Sequence, residues 1–451
     1  MSFDVLELPD TGRIVETCVQ PHATLSQLEI RKRMLGIVSS LPDRDLHRRV
    51  VAVQANNGVE TLLKIFALIE AGAIPAPFPI NTPKETVDEC LRRIGACLNW
   101  DEEHGWTEFG YDRRHADGFE MVLHSSGSTG EPKALAIRLE AMQRNAQDVA
   151  EFLGLGADDI HLGTFSHCYM SGIYNSTILP LVTGGTTISA PQASPLSIAS
   201  IVDAAWLYKP TVLWLSPLIA RTLTVLRGVP DDIFADVRFV VSCTAPLPPR
   251  VKLDFEAKFG SPIVQSYGLC ETLITTIETP GDNEGSGVGQ IIGPQDAVRC
   301  DSDGQVIISN GAHFAGYIDE IQGPTHLQPI DPFSTGDLGH VDGRGNLHIT
   351  GRLSEVINLD GVKISPEGIE AVINSLDGVS GCAIVAEVRD DGRTSLVACV
   401  ICDVEIVTKL PARLNKVLPA NRMPQRYVKV ENLPLTDNGK LDRNRLKREI
   451  L

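Results

Sequence analysis

The segment VLHSSGSTGEPKALAI (122–137) indicates the fold and the chemistry of this chain more strongly than any other stretch. A strand-like apolar run leads into a loop in which Gly127 and Gly130 would let backbone N–H groups approach phosphate oxygens. Further hydroxyl donors come from Ser125, Ser126, Ser128 and Thr129. Lys133 follows, but the spacing is not that of a Walker A loop. The pattern predicts a phosphate-binding loop, and a Ser/Gly-rich surface turn is the alternative.

The segments around this loop alternate between helical and strand-like patterns. Residues 24–41 and 59–73 place apolar side chains at helical spacing, with Gly72 as the expected stop of the second helix, and residues 49–56 are β-like. Similar alternation continues from residue 206 to residue 268. Such an order predicts parallel strands covered by helices.

The pattern changes twice in the C-terminal third of the chain. Short strands separated by Asp-Gly turns between residues 300 and 351 predict antiparallel hairpins, and a compact α+β segment follows from residue 355. We therefore predict an α/β fold: a large N-terminal lobe of βα-sheet subdomains plus a β-rich subdomain, followed by a small mobile α+β C-terminal domain. The boundary is expected near Gly351–Glu355, which gives domains at 1–352 and 353–451.

Composition and charge narrow the classes of function. The chain has 451 residues, of which 43% are hydrophobic, as expected for a globular protein with a substantial core. Its net charge of −17 argues against non-specific nucleic-acid binding, which needs clustered Lys and Arg. No stretch is long and apolar enough to span a bilayer, and the acidic N-terminal segment is unlike a secretory signal. We therefore expect a cytoplasmic protein whose ten cysteines are free thiols.

Five further motifs follow the loop sequence. They are CTAPLP (243–248), SYGLCE (266–271), STGDLGHVD (334–342), GRLSEVINLDGVKISPEGIE (351–370) and LPLTDNGKLDR (433–443). Together with SSGSTGEPK (125–133) they resemble, in the same order, the signatures of the adenylate-forming superfamily: acyl-CoA synthetases, adenylation domains of nonribosomal peptide synthetases and firefly-type luciferases. The resemblance covers nearly the whole chain.

This resemblance implies ATP-dependent activation of a carboxylic acid to an acyl-adenylate, with release of pyrophosphate, and transfer of the acyl group to a pantetheine thiol. Lys440 would be the catalytic cation that bridges the carboxylate and the α-phosphate, because the two anions must be brought together. Glu271 would be the second catalytic residue and the carboxylate associated with Mg²⁺. The implied cofactors are ATP, Mg²⁺ and, as thiol acceptor, CoA or the phosphopantetheine of a carrier protein.

The same motifs imply further contacts with the nucleotide. Tyr267 would stack against adenine, Asp337 would accept hydrogen bonds from the ribose hydroxyls, and Arg352 would donate to the sugar or phosphate. Beyond the phosphate loop and Lys133, the other residues expected near the nucleotide are Thr244, Ala245, Pro246, Gly268 and Cys270. Cys270 stands where the family usually has threonine, so a weak S–H donor replaces a hydroxyl.

Two more sets of residues are implied for the acyl group and the thiol. The acyl group is expected to contact Tyr169, Ile173, Tyr174 and Cys243. Gly361 and Lys363 resemble the family's thioester-forming face, where glycine lets a pantetheine arm pass. Rotation about a hinge at Ser354, where the family usually has Asp or Lys, would exchange this face with Lys440.

Departures from the family pattern narrow the substrate. Cys243-Thr244 replaces the common Gly-Gly, and the added side chains favour a small, branched or short acyl group over a long straight chain. No Asp lies in residues 169–175 to pair with an α-ammonium, which favours a plain carboxylic acid over an amino acid. For His167, in the same region, a structural role and a substrate contact are both open.

Two alternatives to an acyl-CoA synthetase remain open at this point. A free-standing adenylation enzyme would load the acyl group onto a carrier protein in a biosynthetic pathway. A non-catalytic family member would bind nucleotide without turnover, given Cys270 and Ser354. The expected partners are a carboxylic acid and either CoA or an acyl or peptidyl carrier protein, without nucleic acid or membrane, and the sequence leaves the oligomeric state open.

Overall fold

The structure is a computed structural model. It describes residues 13–16, 23–42, 45–55, 57–101, 105–111, 113–115, 117–125, 133–190, 198–281, 287–311, 314–318, 327, 330–359, 362–388, 394–435 and 441–450. Residues 126–132 and 436–440, which include most of the predicted phosphate loop and Lys440, lie outside this set.

The N-terminal part alternates strands and helices. Its strands are β1 (Arg13–Glu16), β2 (Ala23–Ser26), β3 (Val50–Ala55), β4 (Ile74–Pro79), β5 (Leu98–Asp101), β6 (Gly105–Glu108), β7 (Met121–Ser125), β8 (Lys133–Ile137), β9 (Ile160–Gly163), β10 (Thr186–Ser189), β11 (Val212–Leu215), β12 (Phe239–Ser242), β13 (Ile263–Leu269), β14 (Leu273–Ile277), β15 (Gln290–Ile291), β16 (Val298–Cys300), β17 (Gln305–Ile308), β18 (Gly316–Tyr317), β19 (Phe333–Val341) and β20 (Leu347–Arg352). Its helices are α1 (Gln27–Ser39), α2 (Val59–Glu70), α3 (Lys84–Ile94), α4 (Leu139–Leu153), α5 (Leu179–Val182), α6 (Ile198–Tyr208), α7 (Pro217–Val225) and α8 (Pro249–Phe259), together with a π-helical segment, Ser171–Ile178.

The largest sheet has the strand order β15-β14-β13-β12-β11-β9-β10-β1-β2. Its six central strands, β13, β12, β11, β9, β10 and β1, run parallel, whereas β2, β14 and β15 are antiparallel to their neighbours. On β11, Trp214 packs into the core that contains residues of α1, α2 and α4, whereas Leu213 packs into the core of α6, α7 and α8. The sheet is thus covered by helices on both faces, as the alternation of patterns predicted.

Two smaller sheets lie on either side of one shared core. In one, β4-β3-β5-β6, the first three strands are parallel, and in the other, β18-β8-β7, all pairs are antiparallel. Phe78 of β4, Leu91 of α3 and Ala134 of β8 belong to the same buried cluster. The fourth sheet of the N-terminal part, β16-β17-β19-β20, is antiparallel throughout, which confirms the predicted hairpins.

The C-terminal part is a smaller α+β unit. Its elements are β21 (Ile357–Leu359), β22 (Val362–Ile364), α9 (Pro366–Asn374), β23 (Val379–Val388), β24 (Thr394–Cys402), α10 (Val404–Leu414), β25 (Arg426–Lys429) and α11 (Arg443–Ile450). Strands β23, β24 and β25 form one sheet with α9 and α10 against one face and α11 against the other. A 3-10 turn, Leu353–Glu355, precedes this unit at the predicted domain boundary, which remains a prediction.

The early helices follow the sequence patterns with one difference. The helix predicted over residues 59–73 is α2, and Gly72 just beyond its end has the left-handed φ of +75° expected of a helix stop. The helix predicted over residues 24–41 begins only at Gln27, because Ser26 and Glu29 form a capping box and the preceding residues pair as β2. Within the described ranges, no helix has both the length and the apolar character needed to cross a bilayer.

Candidate active site

The hairpin of β13 and β14 brings together several of the residues predicted from the SYGLCE motif. Tyr267 and Gly268 lie on β13, and Cys270 and Glu271 lie in the turn between the strands. A Cβ atom at Gly268 would lie 1.9 Å from the carbonyl oxygen of Leu273, so the strands approach too closely for any side chain there. The hairpin therefore depends on this glycine.

Tyr267, Asp337 and Arg352 form one polar cluster at the edge of this hairpin. The hydroxyl of Tyr267 donates a hydrogen bond of 2.7 Å to Asp337 Oδ2, and Arg352 Nε lies 3.2 Å from Asp337 Oδ1. Asp337 and Arg352 are direct partners in the β19–β20 ladder, which fixes their side chains beside each other. Burial, together with the adjacent carboxylate, raises the pKa of Tyr267 well above its ordinary value, so the phenol stays a donor. The structure thus joins three residues that lie far apart in sequence.

Glu271 and Lys133 meet at a residue that the sequence patterns missed. The hydroxyl of Tyr317 donates a hydrogen bond of 2.7 Å to Glu271 Oε1, and Lys133 Nζ lies 5.2 Å from the centre of the Tyr317 ring. Tyr317 reaches this place because β18 pairs with β8, the strand that begins at Lys133. Burial and the carboxylate raise the pKa of Tyr317. No motif contains Tyr317, and only the strand pairing reveals its position.

The end of β12 carries the Cys243-Thr244 pair. The Cys243 thiol is buried and accepts a hydrogen bond of 3.4 Å from Asn175 Nδ2, and burial raises its pKa to about 12. Thr244 has a φ of +74°, a conformation that is strained for a β-branched residue and ordinary for glycine. The backbone therefore keeps a glycine-like shape here although the residue is threonine.

The predicted acyl-contacting residues lie in or beside the π-helical segment Ser171–Ile178, an element that often occurs at functional sites. Ile173 and Tyr174 are fully buried, and the Tyr174 hydroxyl donates a hydrogen bond of 2.6 Å to Asn145 Oδ1. Tyr169 precedes the segment and is partly exposed. This geometry gives Tyr174 a packing role, and the acyl contacts of all three residues stay predictions.

His167 has the environment of a structural histidine. Its ring is buried, and its Nδ1 accepts a hydrogen bond of 3.4 Å from the N–H of Gly58, while the backbone N–H of His167 donates to Asn57 Oδ1 at 2.8 Å. Burial lowers its pKa to about 4, so the ring is neutral near pH 7. These contacts favour the structural interpretation.

Several predicted residues are only partly described. Ser126, Gly127, Ser128, Thr129, Gly130, Gly361 and Lys440 lie outside the described residues, as do the side chains of Ser125 and Lys363. Ser354 is exposed in the 3-10 turn, and Thr244, Ala245 and Pro246 follow β12 at the surface or partly buried. The roles predicted for these residues remain predictions.

Known proteins match this chain along most of its length. Residues 99–318 match the family described as AMP-binding enzyme. The oxalate–CoA ligase of Arabidopsis thaliana is 27% identical over 350 aligned positions, which cover 73% of this chain and 67% of that ligase. Surfactin synthase subunit 2 of Bacillus subtilis (strain 168) is 24% identical over an alignment that covers 88% of this chain and 12% of that protein. ATP-bound MatB from Rhodopseudomonas palustris is 21% identical, with a TM-score of 0.82 over 97% of this chain and 95% of MatB, and this likeness confirms the predicted fold class.

Proposed function

We propose that this chain, which is similar to AMP-binding enzymes, is an adenylate-forming enzyme: an AMP-forming acid–thiol ligase of the acyl-CoA synthetase type. It activates a carboxylic acid with ATP, releases pyrophosphate, and transfers the acyl group to the thiol of CoA. The observation that carries the proposal is the contact of Tyr267, on the hairpin that also holds Glu271, with the Asp337–Arg352 pair of β19 and β20. A nucleotide needs an acceptor for its sugar and a metal-binding carboxylate for its phosphates at neighbouring places, and Asp337 and Glu271 supply these two groups.

In the first half-reaction, the side chains bind the nucleotide and offset its charge. A carboxylate has about four lone-pair sites, so Asp337 can accept from two ribose hydroxyls while it keeps Tyr267 and Arg352. Lys133 and the phosphate loop receive the phosphates. The role proposed for Lys440 is to stabilise the charge that builds up as the carboxylate oxygen attacks the α-phosphorus and pyrophosphate leaves.

Glu271 is the residue that would hold Mg²⁺. A single carboxylate with nearby phosphate oxygens and water suits this ion, which is usually bound through few protein ligands, and the Tyr317 hydroxyl fixes one carboxylate oxygen in place. When bound, Mg²⁺ would neutralise phosphate charge.

In the second half-reaction, the thiol attacks the acyl carbonyl and AMP leaves. Rotation near Ser354 brings Gly361 and Lys363 to the site in place of Lys440. The proposed substrate is a carboxylic acid with a small, branched or short acyl group, because Cys243 and Thr244 replace the common Gly-Gly and their side chains would narrow the acyl end of the site. The Arabidopsis relative is named for oxalate, itself a small acid, which supports this choice.

The test is acid-dependent exchange of labelled pyrophosphate into ATP, measured over a panel of short, branched, aromatic and long-chain acids. Wild type should support exchange with a small acid, and Lys440→Ala should lower it by at least about 100-fold, because one charge-stabilising group is lost. Lys447→Ala, an exposed lysine on α11, is the matched control and should behave as wild type. Absence of exchange with every acid would instead support a non-catalytic nucleotide-binding protein.

A second candidate function differs only in the thiol acceptor. The alignment with surfactin synthase subunit 2 covers 88% of this chain, which favours loading of a carrier protein as the alternative. Supplying one acyl-adenylate with either CoA or a phosphopantetheinylated carrier protein distinguishes the two. Faster thioester formation on the carrier protein would show that the carrier protein, and not CoA, is the preferred acceptor.

A further inference from the structure

Arg443, the first residue of α11, has its guanidinium enclosed by acidic side chains. Its Nε lies 2.7 Å from Glu355 Oε2, its two terminal nitrogens contact both oxygens of Glu370 at 2.5 and 2.9 Å, and Glu367 Oε1 lies 3.9 Å away. One terminal nitrogen also donates to the carbonyl oxygen of Ile384 at 3.1 Å. The side chain is only 20% exposed, so these contacts are shielded from water. Such a two-pronged contact with a carboxylate is specific to arginine.

These contacts join separate elements of the C-terminal part. Glu355 ends the 3-10 turn directly after the predicted hinge residue Ser354, Glu367 and Glu370 lie on α9, and Ile384 lies on β23. Glu370 also accepts a hydrogen bond of 2.6 Å from the N–H of Ile384. Arg443 therefore ties the start of α11 to the hinge and to the sheet at once.

The residues on either side of the segment 436–440, which contains Lys440, contact each other close to Arg443. Leu435 and Leu441, which flank residues 436–440, form an antiparallel bridge, and the N–H of Asp442 donates to the carbonyl oxygen of Pro434 at 2.8 Å. Lys440 precedes Leu441 directly and lies three positions before Arg443. The contacts of Arg443 therefore fix the chain just beyond the C-terminal end of this segment.

Glu355 and Glu367, two carboxyl groups near the predicted hinge, share a hydrogen bond that shifts the pKa of both. Burial and a hydrogen bond with Glu355 raise the pKa of Glu367 to about 7. Although burial raises the pKa of Glu355, the hydrogen bond from Glu367 and the charges of Arg443 and Arg352 lower it overall. Glu355 is therefore an ionised group that pairs with Arg443 and whose charge is also stabilised by Arg352, of the Asp337 cluster.

We propose that Arg443 is a positioning residue for adenylation: through Glu355 and Glu370 it holds the Lys440 segment in register with the hinge. The proposal rests on the proposed function, because it assigns Arg443 to the half-reaction in which Lys440 acts. Arg443 does not touch the substrate. Its loss displaces the lysine, and a displacement of about 1 Å can cost on the order of 100-fold in rate.

The experiment measures the two half-reactions separately on the same preparations. Pyrophosphate exchange reports adenylation, and thioester formation from synthetic acyl-adenylate and CoA reports transfer. Arg443→Met should lower kcat for adenylation by at least about tenfold with KM for ATP changed by less than about twofold, while transfer stays within about threefold of wild type. Arg443→Lys keeps the charge without the fork and should restore part of the adenylation rate.

Arg445→Met is the matched control, because Arg445 lies on the same helix, is exposed, and its guanidinium pairs with Glu449 of α11 at 2.7 Å. It should match wild type in both assays. Equal losses in the two half-reactions after Arg443→Met, no rescue by lysine, or unchanged adenylation would each overturn the proposal. If Lys440→Ala abolishes exchange and Arg443→Met does not, the inference fails alone. If wild type shows no exchange with any acid, the proposed function fails and the inference falls with it.

Discussion

Asp337 is the residue whose surroundings bear most directly on nucleotide binding. It lies between the phenol of Tyr267 and the guanidinium of Arg352, and its side chain is 11% exposed. An ionised carboxylate offers acceptors on both oxygens, whereas an amide offers one acceptor oxygen and two donors. Substitution by asparagine therefore puts donors where the ribose hydroxyls and Arg352 need acceptors.

We expect Asp337→Asn to raise KM for ATP by about tenfold or more, since hydrogen bonds to a charged group contribute ~1.5–3 kcal/mol. Tyr267→Phe, which removes one neutral donor and keeps the ring, should have a smaller effect. Steady-state kinetics at saturating acid provide the measurement. An unchanged KM for ATP in Asp337→Asn would show that Asp337 does not bind the nucleotide.

The side chains of this site differ in how well the sequence predicts them. The motifs indicate Tyr267, Asp337 and Arg352 together, and the structure brings them into contact. Tyr317 has no such signal, because its contact with Glu271 arises from a strand pairing between segments far apart in the chain. The strained backbone of Thr244 is likewise invisible in the residue type, although the departure from Gly-Gly points to that position.

The β13–β14 hairpin is the element on which the site depends. A Cβ atom at Gly268 would lie 1.9 Å from the carbonyl oxygen of Leu273, which is backbone and has little freedom to move. We expect Gly268→Ala to lower the free energy of unfolding by about 1–3 kcal/mol, the usual range for overpacking, and to raise KM for ATP by displacing Tyr267. Urea unfolding and ATP kinetics measure the two effects.

Gly343→Ala is the control for this substitution, because a Cβ atom there meets no other atom within 4 Å. It should leave both stability and kinetics unchanged. Equal behaviour of the two alanine variants would show that the hairpin tolerates a side chain at residue 268.

The elements themselves were predictable where one pattern dominates. α2 has a continuous apolar face and a glycine stop, and the β19–β20 hairpin has an Asp-Gly turn, so local sequence suffices. Strand β2 was missed because four residues before a helix carry no alternation, and its pairing with β1 is a tertiary contact. The π-helical segment was missed because its sequence, SGIYNSTI, has no period that separates it from an α-helix.

The stability of the whole protein should depend on pH through Glu367, a carboxyl group near the predicted hinge. The pKa of Glu367 is raised from 4.5 to about 7 by burial and by Glu355. Between these values the folded protein holds a proton that the unfolded chain has released, so this group's stabilising contribution is complete below about pH 4.5 and is lost as pH rises through 7.

Glu367→Gln cannot ionise and should therefore lose this part of the pH dependence. We expect the variant to gain stability relative to wild type as pH rises from 5.5 to 8, measured by urea unfolding of both proteins at each pH. Glu449→Gln, an exposed glutamate on α11, is the control and should follow wild type. Parallel curves for wild type and Glu367→Gln would show that Glu367 ionises normally.

The division of the chain into two domains stays a prediction. The sequence predicts a boundary near Gly351–Glu355, where the structure has the end of β20 and a 3-10 turn. Motion about this point was inferred from resemblance, because a change of backbone angles in a turn leaves no pattern in residue type. The pairing of Arg443 with Glu355 is a tertiary feature of the same kind.

In the proposed reaction, a carboxylate oxygen of the acid attacks the α-phosphate of ATP. The most direct measurement uses an accepted acid labelled with ¹⁸O in its carboxylate, followed by mass spectrometry of the products after thioester formation with CoA. One ¹⁸O atom should appear in AMP and none in pyrophosphate, because the oxygen that bridged the acyl group and phosphorus leaves with AMP. Label in inorganic phosphate, or unlabelled AMP, would contradict the acyl-adenylate and the function assigned to this site.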